Sequence, residues 1–190
     1  MRAIAAGCLA LGLLVSGCSG ADDRSSAPPS SRPAADASPP ADSAPSGAAP
    51  STTAVPEPPP GTNDRRGRTA FAEYVLEAWI YALNTNDPKP LLSVSGRKPC
   101  DGCGDLVAEL KKRREQGWHV ALQGVRVAST RISQSGSTSR AVLSVEIPAS
   151  SSYNDDGTFR AINPAHPGSR FTVEMTHTDG RFRLESFSLY

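Results

Sequence analysis

Apolar residues in the C-terminal two thirds of the chain repeat first with a helical period and then with a period of two. Residues 69–84 carry apolar side chains three and four positions apart, which is the spacing of one helix face. This face consists of Phe71, Tyr74, Val75, Ala78 and Ala82. Thr69 is the expected N-cap, and Asn86-Asp87-Pro88 breaks the pattern. The spacing therefore predicts a first helix over 69–84.

Two further helical segments follow the first helix. The segment from Pro90 to Ser95 has the length of one short helical turn. Residues 104–116 predict a second long helix, which Gly117 ends. Its apolar face consists of Leu106, Val107 and Leu110.

Beyond the second long helix, apolar and polar residues alternate, which is the period of a β-strand. The alternation predicts four strands, over 118–127, 141–147, 171–176 and 182–189. Asp179-Gly180 is typical of a two-residue hairpin turn between the last two strands. The stretch 148–168 is predicted to be irregular, with a turn at Asp156-Gly157.

Helices followed by an antiparallel sheet are the α+β pattern, in which the sheet buries one face against the helices. The predicted fold class is therefore α+β, with N-terminal helices packed on a curved antiparallel sheet of about four strands. Residues 67–190 have the usual size of one domain with one core. They hold 15 Lys and Arg against 13 Asp and Glu, and this near balance favours no nucleic-acid partner.

The N-terminus has the organisation of a signal peptide. Arg2 precedes a mostly apolar run over 3–15, which is too short to span a bilayer as a helix. The run closes on Val15-Ser16-Gly17-Cys18, which resembles a bacterial lipobox. That resemblance implies cleavage between Gly17 and Cys18, a diacylglyceryl group on the Cys18 thiol, and an anchor on the outer face of the cell membrane. The alternative is an ordinary secreted protein that is cut elsewhere.

The segment after the lipobox has a different composition. Residues 19–66 hold 11 Pro, 10 Ala and 9 Ser, and no aromatic residue. Such a segment cannot bury enough apolar surface to offset the entropy of ordering it. The sequence therefore predicts three parts: a signal peptide over 1–17, a disordered tether over 18–66, and the globular domain over 67–190.

Several local strings support a closer resemblance. Residues 78–87 read AWIYALNTND, residues 90–93 read PLLS, residues 100–103 read CDGC, and residues 179–184 read DGRFRL. With the lipobox and tether upstream, the chain resembles a family of actinobacterial lipoproteins of unknown function. The order of elements in the domain resembles the cone-shaped nuclear-transport-factor-2-like (NTF2-like) fold. The resemblance implies location and fold but no activity. One departure from the family pattern is Phe182, where a tryptophan is expected in the last strand.

Cys100 and Cys103 are the cysteines that remain once the signal peptide is removed and Cys18 is lipidated. Outside the membrane the environment is oxidising, so a disulfide is predicted. The alternative is thiol–disulfide chemistry, because a Cys-x-x-Cys pair before a helix is the thioredoxin arrangement. No strand–helix–strand pattern surrounds the pair, and the histidines show no ligand spacing for a metal.

Four residues are candidates for lining a pocket: Trp79, Tyr81, Trp118 and His177. The three aromatic residues are equally suited to core packing. His177 follows the parity of the inward residues of its strand, so it either points into the cone or lies at the strand end beside the hairpin.

The sequence predicts a membrane-anchored, extracytoplasmic protein that binds a small apolar ligand or an envelope protein without catalysis. It predicts no catalytic residue, cofactor, metal or nucleic-acid partner. The alternatives are a cone-fold enzyme that acts on a small apolar substrate, and a thiol–disulfide protein. No phosphate-binding glycine loop and no nucleophile elbow is present in the sequence.

Overall fold

Three helices precede seven strands in the residues that the structure describes, 54–96 and 100–190 of a computed structural model. The predicted signal peptide and Cys18 lie outside these residues. The helices are α1 (Arg65–Thr85), α2 (Lys89–Ser93) and α3 (Cys103–Glu115). The strands are β1 (Trp118–Ala121), β2 (Arg126–Ser135), β3 (Thr138–Ile147), β4 (Ser150–Asn154), β5 (Phe159–Asn163), β6 (His166–Thr178) and β7 (Arg181–Leu189).

Helix α1 begins one turn earlier than predicted. The carboxylate of Asp64 accepts a hydrogen bond from the Gly67 N–H at 2.7 Å, which makes Asp64 the N-cap. Thr69, the predicted cap, instead donates its hydroxyl to the Arg65 carbonyl at 3.0 Å. The prediction was wrong because the first turn contains Arg65 and Arg66 and no apolar residue that would extend the pattern. Helices α2 and α3 lie where the sequence predicted them.

The strands form two antiparallel sheets, one in the order β2-β3-β6-β7 and the other in the order β1-β4-β5. Asp179 and Gly180 connect β6 to β7 with φ angles of 53° and 71°, and two positive φ angles are the mark of a type I′ turn. The predicted hairpin is therefore confirmed. The predicted α+β class, with helices on an antiparallel sheet of four strands, is confirmed as well.

One predicted strand, over 118–127, is two strands in different sheets. The chain leaves the smaller sheet after β1 and enters the larger one at β2, and Gly124 adopts a φ of 74° in the crossing. The side-chain amide of Asn84, near the end of α1, holds this crossing. It donates to the Leu122 carbonyl at 3.0 Å and accepts from the Leu122 N–H at 2.7 Å. The apolar positions change from even numbers (Trp118, Val120, Leu122) to odd numbers (Val125, Val127) at this break, so the change of parity marks the crossing.

The stretch 148–168, predicted to be irregular, contains β4 and β5. The predicted turn at Asp156-Gly157 connects them. Strand β4 begins with three serines, so it lacks the alternation of apolar residues that marks a strand in sequence. Polar contacts support the pairing instead, because the Asn163 amide donates to the Ser152 hydroxyl at 3.1 Å.

The core lies between α1 and the inward face of the larger sheet. Phe171, Val173 and Met175 of β6 are 0% exposed, as is Leu143 of β3. Small residues of α1, Ala72, Ala78 and Ala82, are also fully buried, and they allow the helix backbone to approach the sheet closely. Burial of each large apolar side chain stabilises the fold by about 1.5–3 kcal/mol. In the described residues, no helix is both long and apolar enough to cross a membrane.

Cys100 and Cys103 form a disulfide at the start of α3, with their Cα atoms 5.1 Å apart, as predicted. Both residues are buried, at 4% and 1% exposure. The loop that they close is bonded to strand β7. The Asp101 N–H donates to the Glu185 carbonyl at 2.8 Å, and the Phe187 N–H donates to the Asp101 carbonyl at 3.1 Å. The bridge therefore fixes the beginning of α3 at the edge of the larger sheet.

Replacing both cysteines of this bridge with serine is expected to lower the free energy of unfolding by about 2 kcal/mol, because the unfolded chain regains the entropy of an open loop. Urea unfolding of the oxidised protein and the double variant Cys100→Ser/Cys103→Ser measures the difference. Ser137→Ala, in the exposed turn between β2 and β3, is the matched control and should change nothing. Equal urea midpoints for the wild type and the double variant would show that the disulfide does not stabilise the fold.

Candidate functional site: a groove beneath the proline-rich segment

Residues 54–61, which we call the proline-rich segment, lie against the domain ahead of α1. The Nε2 of His177 donates to the Gly61 carbonyl at 2.8 Å, since a carbonyl oxygen can only accept. A Cβ atom at Gly61 would overlap the Gly180 carbonyl in the β6–β7 turn. A Cβ atom at Gly67 would overlap the Thr62 carbonyl. Glycine is therefore needed at both positions, because the backbone at Gly61 lies against the β6–β7 turn and the backbone at Gly67 lies against Thr62.

The boundary between tether and domain predicted at 66 does not agree with these contacts. Arg65 and Arg66 belong to α1, and Gly61 contacts His177 and the β6–β7 turn. The prediction was wrong here because composition alone carries no information on which residues contact the domain. The contact joins residues 116 positions apart in the chain, which no local pattern can indicate.

A cavity of about 460 Å³ opens between the proline-rich segment and the domain. We call it the proline groove. Its lining comes from Pro58, Pro59, Pro60, Gly61, Phe71, Ser93, Val94, Gly180, Arg181, Phe182 and Arg183. The rings of Phe71 and Phe182 lie 5.2 Å apart and form an apolar floor. Arg181 is exposed and Arg183 half-buried, so the rim is cationic while the floor is apolar.

A second, more open cavity of about 410 Å³ lies on the other side of Pro58. Tyr74, Tyr81 and Ser93 line it, together with Val55. The Tyr74 hydroxyl donates to the Pro90 carbonyl at 2.7 Å, and burial raises the pKa of this phenol. The phenol therefore stays neutral at physiological pH, and the wall that it forms carries no charge.

The structure gives the four predicted pocket residues different surroundings. Trp79 packs on Phe171 with ring centroids 5.7 Å apart, which is core packing. Tyr81 lines the second cavity. His177 lies at the end of β6 beside the hairpin, where it contacts Gly61 and the edge of the Phe182 ring.

Trp118, the fourth of them, lies at the start of β1 on the smaller sheet. The guanidinium groups of Arg113 and Arg160 lie 4.9 and 4.8 Å from its ring centre. Cation–π contacts of this kind stabilise a half-buried tryptophan by about 0.5–1 kcal/mol each. A pocket shared by all four residues stays a prediction.

The space between α1 and the larger sheet is filled. The inward side chains of β3 and β6 are at most 1% exposed from Ala141 to Val145 and from Phe171 to Met175. A water-sized void beside any of these side chains would appear as exposed area. The inward positions are therefore core, and the open cavities described above lie outside it.

The sequence did not indicate the residues that form the proline groove. Phe71 and Phe182 read as core residues, and Arg181 and Arg183 as ordinary polar positions of an alternating strand. The one available signal was Pro58-Pro59-Pro60 followed by Gly61, since three prolines stiffen the chain and glycine allows close backbone approach.

No protein-family model and no curated protein sequence matches this chain significantly. Solved structures similar to it include a protein from Catenulispora acidiphila, with a TM-score of 0.43 and 15% identity over 66% of this chain and 92% of that chain. An NTF2-like protein from Cytophaga hutchinsonii gives 0.41 and 16%, over 66% and 97% of the two chains. A protein with a cystatin-like fold from Caulobacter vibrioides gives 0.38 and 17%, over 62% and 84%. These values are low, so the fold assignment rests on the helices and strands themselves.

His177→Phe is expected to loosen the proline-rich segment and leave the rest of the domain intact. Phenylalanine keeps a ring against Phe182 but cannot donate to the Gly61 carbonyl. Loss of one hydrogen bond, about 1 kcal/mol, corresponds to about fivefold faster amide exchange in peptides that cover 54–64. Hydrogen–deuterium exchange with mass spectrometry measures this rate.

The control for that experiment is His166→Phe, at the exposed start of β6. Exchange in 54–64 should equal that of the wild type in this variant. Unchanged exchange in His177→Phe would show that the contact to Gly61 does not hold the segment.

Proposed function

We propose that this protein is an extracytoplasmic lipoprotein of the actinobacterial family that the sequence resembles, and that its domain binds a small apolar ligand in the proline groove without catalysis. Cys18 carries the lipid in this proposal, and residues 18–53 form the tether. The single observation that carries the binding function is the proline groove, a cavity of about 460 Å³ with an apolar floor, outside a filled core.

The anchor follows from the lipobox Val15-Ser16-Gly17-Cys18. Two acyl chains hold a protein stably on a bilayer, whereas one chain gives only marginal binding. A tether of residues 18–53 reaches between about 30 Å as a coil and about 110 Å when fully extended. Either length places the domain clear of the lipid headgroups, so that the proline groove is open to solutes in the envelope.

The composition of the proline groove indicates the ligand class. Phe71, Phe182 and Val94 present apolar surface, which favours an apolar body. Arg181 and Arg183 at the rim favour an acidic group at one end of the same molecule. The prolines of the wall lose little conformational entropy on binding, because their φ angles are already fixed.

The two alternative functions have less support. A cone-fold enzyme needs acid and base groups that converge on an open interior, and the inward positions of β3 and β6 hold buried apolar side chains instead. Thiol–disulfide exchange needs an accessible sulfur, and Cys100 and Cys103 are both buried. An envelope protein that inserts an apolar side chain would use the same proline groove as a small ligand.

Cys18→Ser is expected to release the protein from the membrane, because serine cannot form the thioether. Fractionation of cells that express the full chain, followed by intact mass measurement, tests the anchor. The wild type should partition into detergent with the mass of a diacylglyceryl group on Cys18. Cys8→Ser, inside the signal peptide, is the matched control and should stay bound. Release of neither variant would contradict the anchor.

Ser93→Trp is expected to weaken ligand binding at the proline groove by about tenfold, since an indole at this position fills space beside Phe71 and Val94. The probe is 1-anilinonaphthalene-8-sulfonate, which combines an apolar ring system with one anionic group. Fluorescence titration of the full chain gives its dissociation constant. Ser137→Trp, in the exposed β2–β3 turn, should bind the probe as the wild type does.

Each variant must first show a thermal unfolding midpoint close to that of the wild type. Equal affinity of Ser93→Trp and the wild type for the probe would contradict a binding site in the proline groove.

A further inference from the structure

Two arginines on the outer face of the larger sheet line a third cavity, separate from the proline groove. Arg131 of β2 lies directly opposite Val142 of β3, and Arg170 of β6 lies directly opposite Ser144. Val142 and Ser144 alternate with Ala141, Leu143 and Val145, which face the core. Because paired residues share a face, all four side chains project outward. They line a cavity of about 320 Å³.

The register places the two arginines on either side of the same part of β3. Arg131 and Arg170 flank β3 from opposite sides, two residues apart along it. With about 4.8 Å between strands and about 3.4 Å per residue, their Cα atoms lie about 12 Å apart. Two arginine side chains can reach across that separation to a single ligand. Val142 and Ser144, both half-buried, form the floor between them.

Neither arginine has a carboxylate partner among residues 54–96 and 100–190. Arg113, in contrast, pairs with Glu109 at 3.0 Å. Two acidic residues of β6 and β7 accept hydrogen bonds from hydroxyl groups and do not line the cavity. Glu185 accepts from the Thr176 hydroxyl at 2.6 Å, and Glu174 accepts from the Ser186 hydroxyl at 3.2 Å. The two cations therefore line the same small cavity, and no carboxylate of the described residues lines it; Glu146, exposed on the same face of β3, lies two residues beyond Ser144.

We propose that Arg131, Ser144 and Arg170 form a binding site for a phosphate group. A planar carboxylate is satisfied by one guanidinium, whose two parallel N–H donors match its two oxygens. A phosphate group presents oxygens in several directions, so it can accept from two guanidinium groups on opposite sides of β3 and from the Ser144 hydroxyl below. The phosphate belongs either to a small phosphorylated solute or to the headgroup of an anionic lipid.

The test measures binding of inorganic phosphate to the full chain by isothermal titration calorimetry. One saturable site per chain is expected. Arg131→Gln and Arg170→Gln should each weaken it by about tenfold, which corresponds to about 1.4 kcal/mol. Arg140→Gln is the matched control, since Arg140 is exposed on the same face of β3 and does not line the cavity. Its affinity should stay within about twofold of the wild type.

Two further arms separate the sources of the phosphate. Vesicles of phosphatidylglycerol, compared with vesicles of phosphatidylcholine, test the lipid headgroup in sedimentation with Cys18→Ser protein. If the protein binds phosphatidylglycerol vesicles and free phosphate displaces it from them, the site binds a lipid headgroup. If the protein binds phosphate but not the vesicles, the site binds a phosphorylated solute. The proposal is overturned if the wild type shows no saturable binding up to roughly 20 mM phosphate, which means that the binding free energy is weaker than about 2–3 kcal/mol. It is overturned equally if Arg140→Gln weakens binding as much as the other two variants.

Discussion

Helix α1 packs against the inward face of β3 and β6, and this packing forms the core of the domain. Fully buried alanines bring the helix backbone close, so that Phe171 is enclosed by Trp79 and Phe187 with ring centroids 5.7 and 5.9 Å away. Close packing leaves no room there for a ligand or water. The interior of the sheet therefore serves stability, and binding surfaces must form elsewhere on the domain.

The proline groove and the arginine pair on the outer face lie outside this core. At the proline groove, Gly61 allows the proline-rich segment to approach the β6–β7 turn, Gly67 allows Thr62 to approach α1, and His177 holds Gly61 with one hydrogen bond. On the outer face, antiparallel register alone places Arg131 and Arg170 on either side of β3. Both surfaces are consequences of the same fold, since the core fixes which residues point outward.

The sequence predicted the helices and strands that bury one face in the core. The apolar periodicity of α1, β3 and β6 was sufficient, because each of them buries one face. The disulfide and the Asp179-Gly180 turn were predictable because their geometry is local. Strand β4 was missed because hydrogen bonds of serine and asparagine, rather than apolar alternation, accompany its pairing. The proline groove was missed because it depends on contacts between distant parts of the chain.

Crystals of the protein held under xenon pressure show whether the core is filled. Xenon enters apolar cavities that are large enough to hold an atom and stays out of close-packed interiors. No xenon is expected between α1 and the larger sheet, whereas the open cavities, including the apolar floor formed by Phe71 and Phe182, can hold it. A xenon atom beside Phe171 and Met175 would show an open interior and would contradict a filled core.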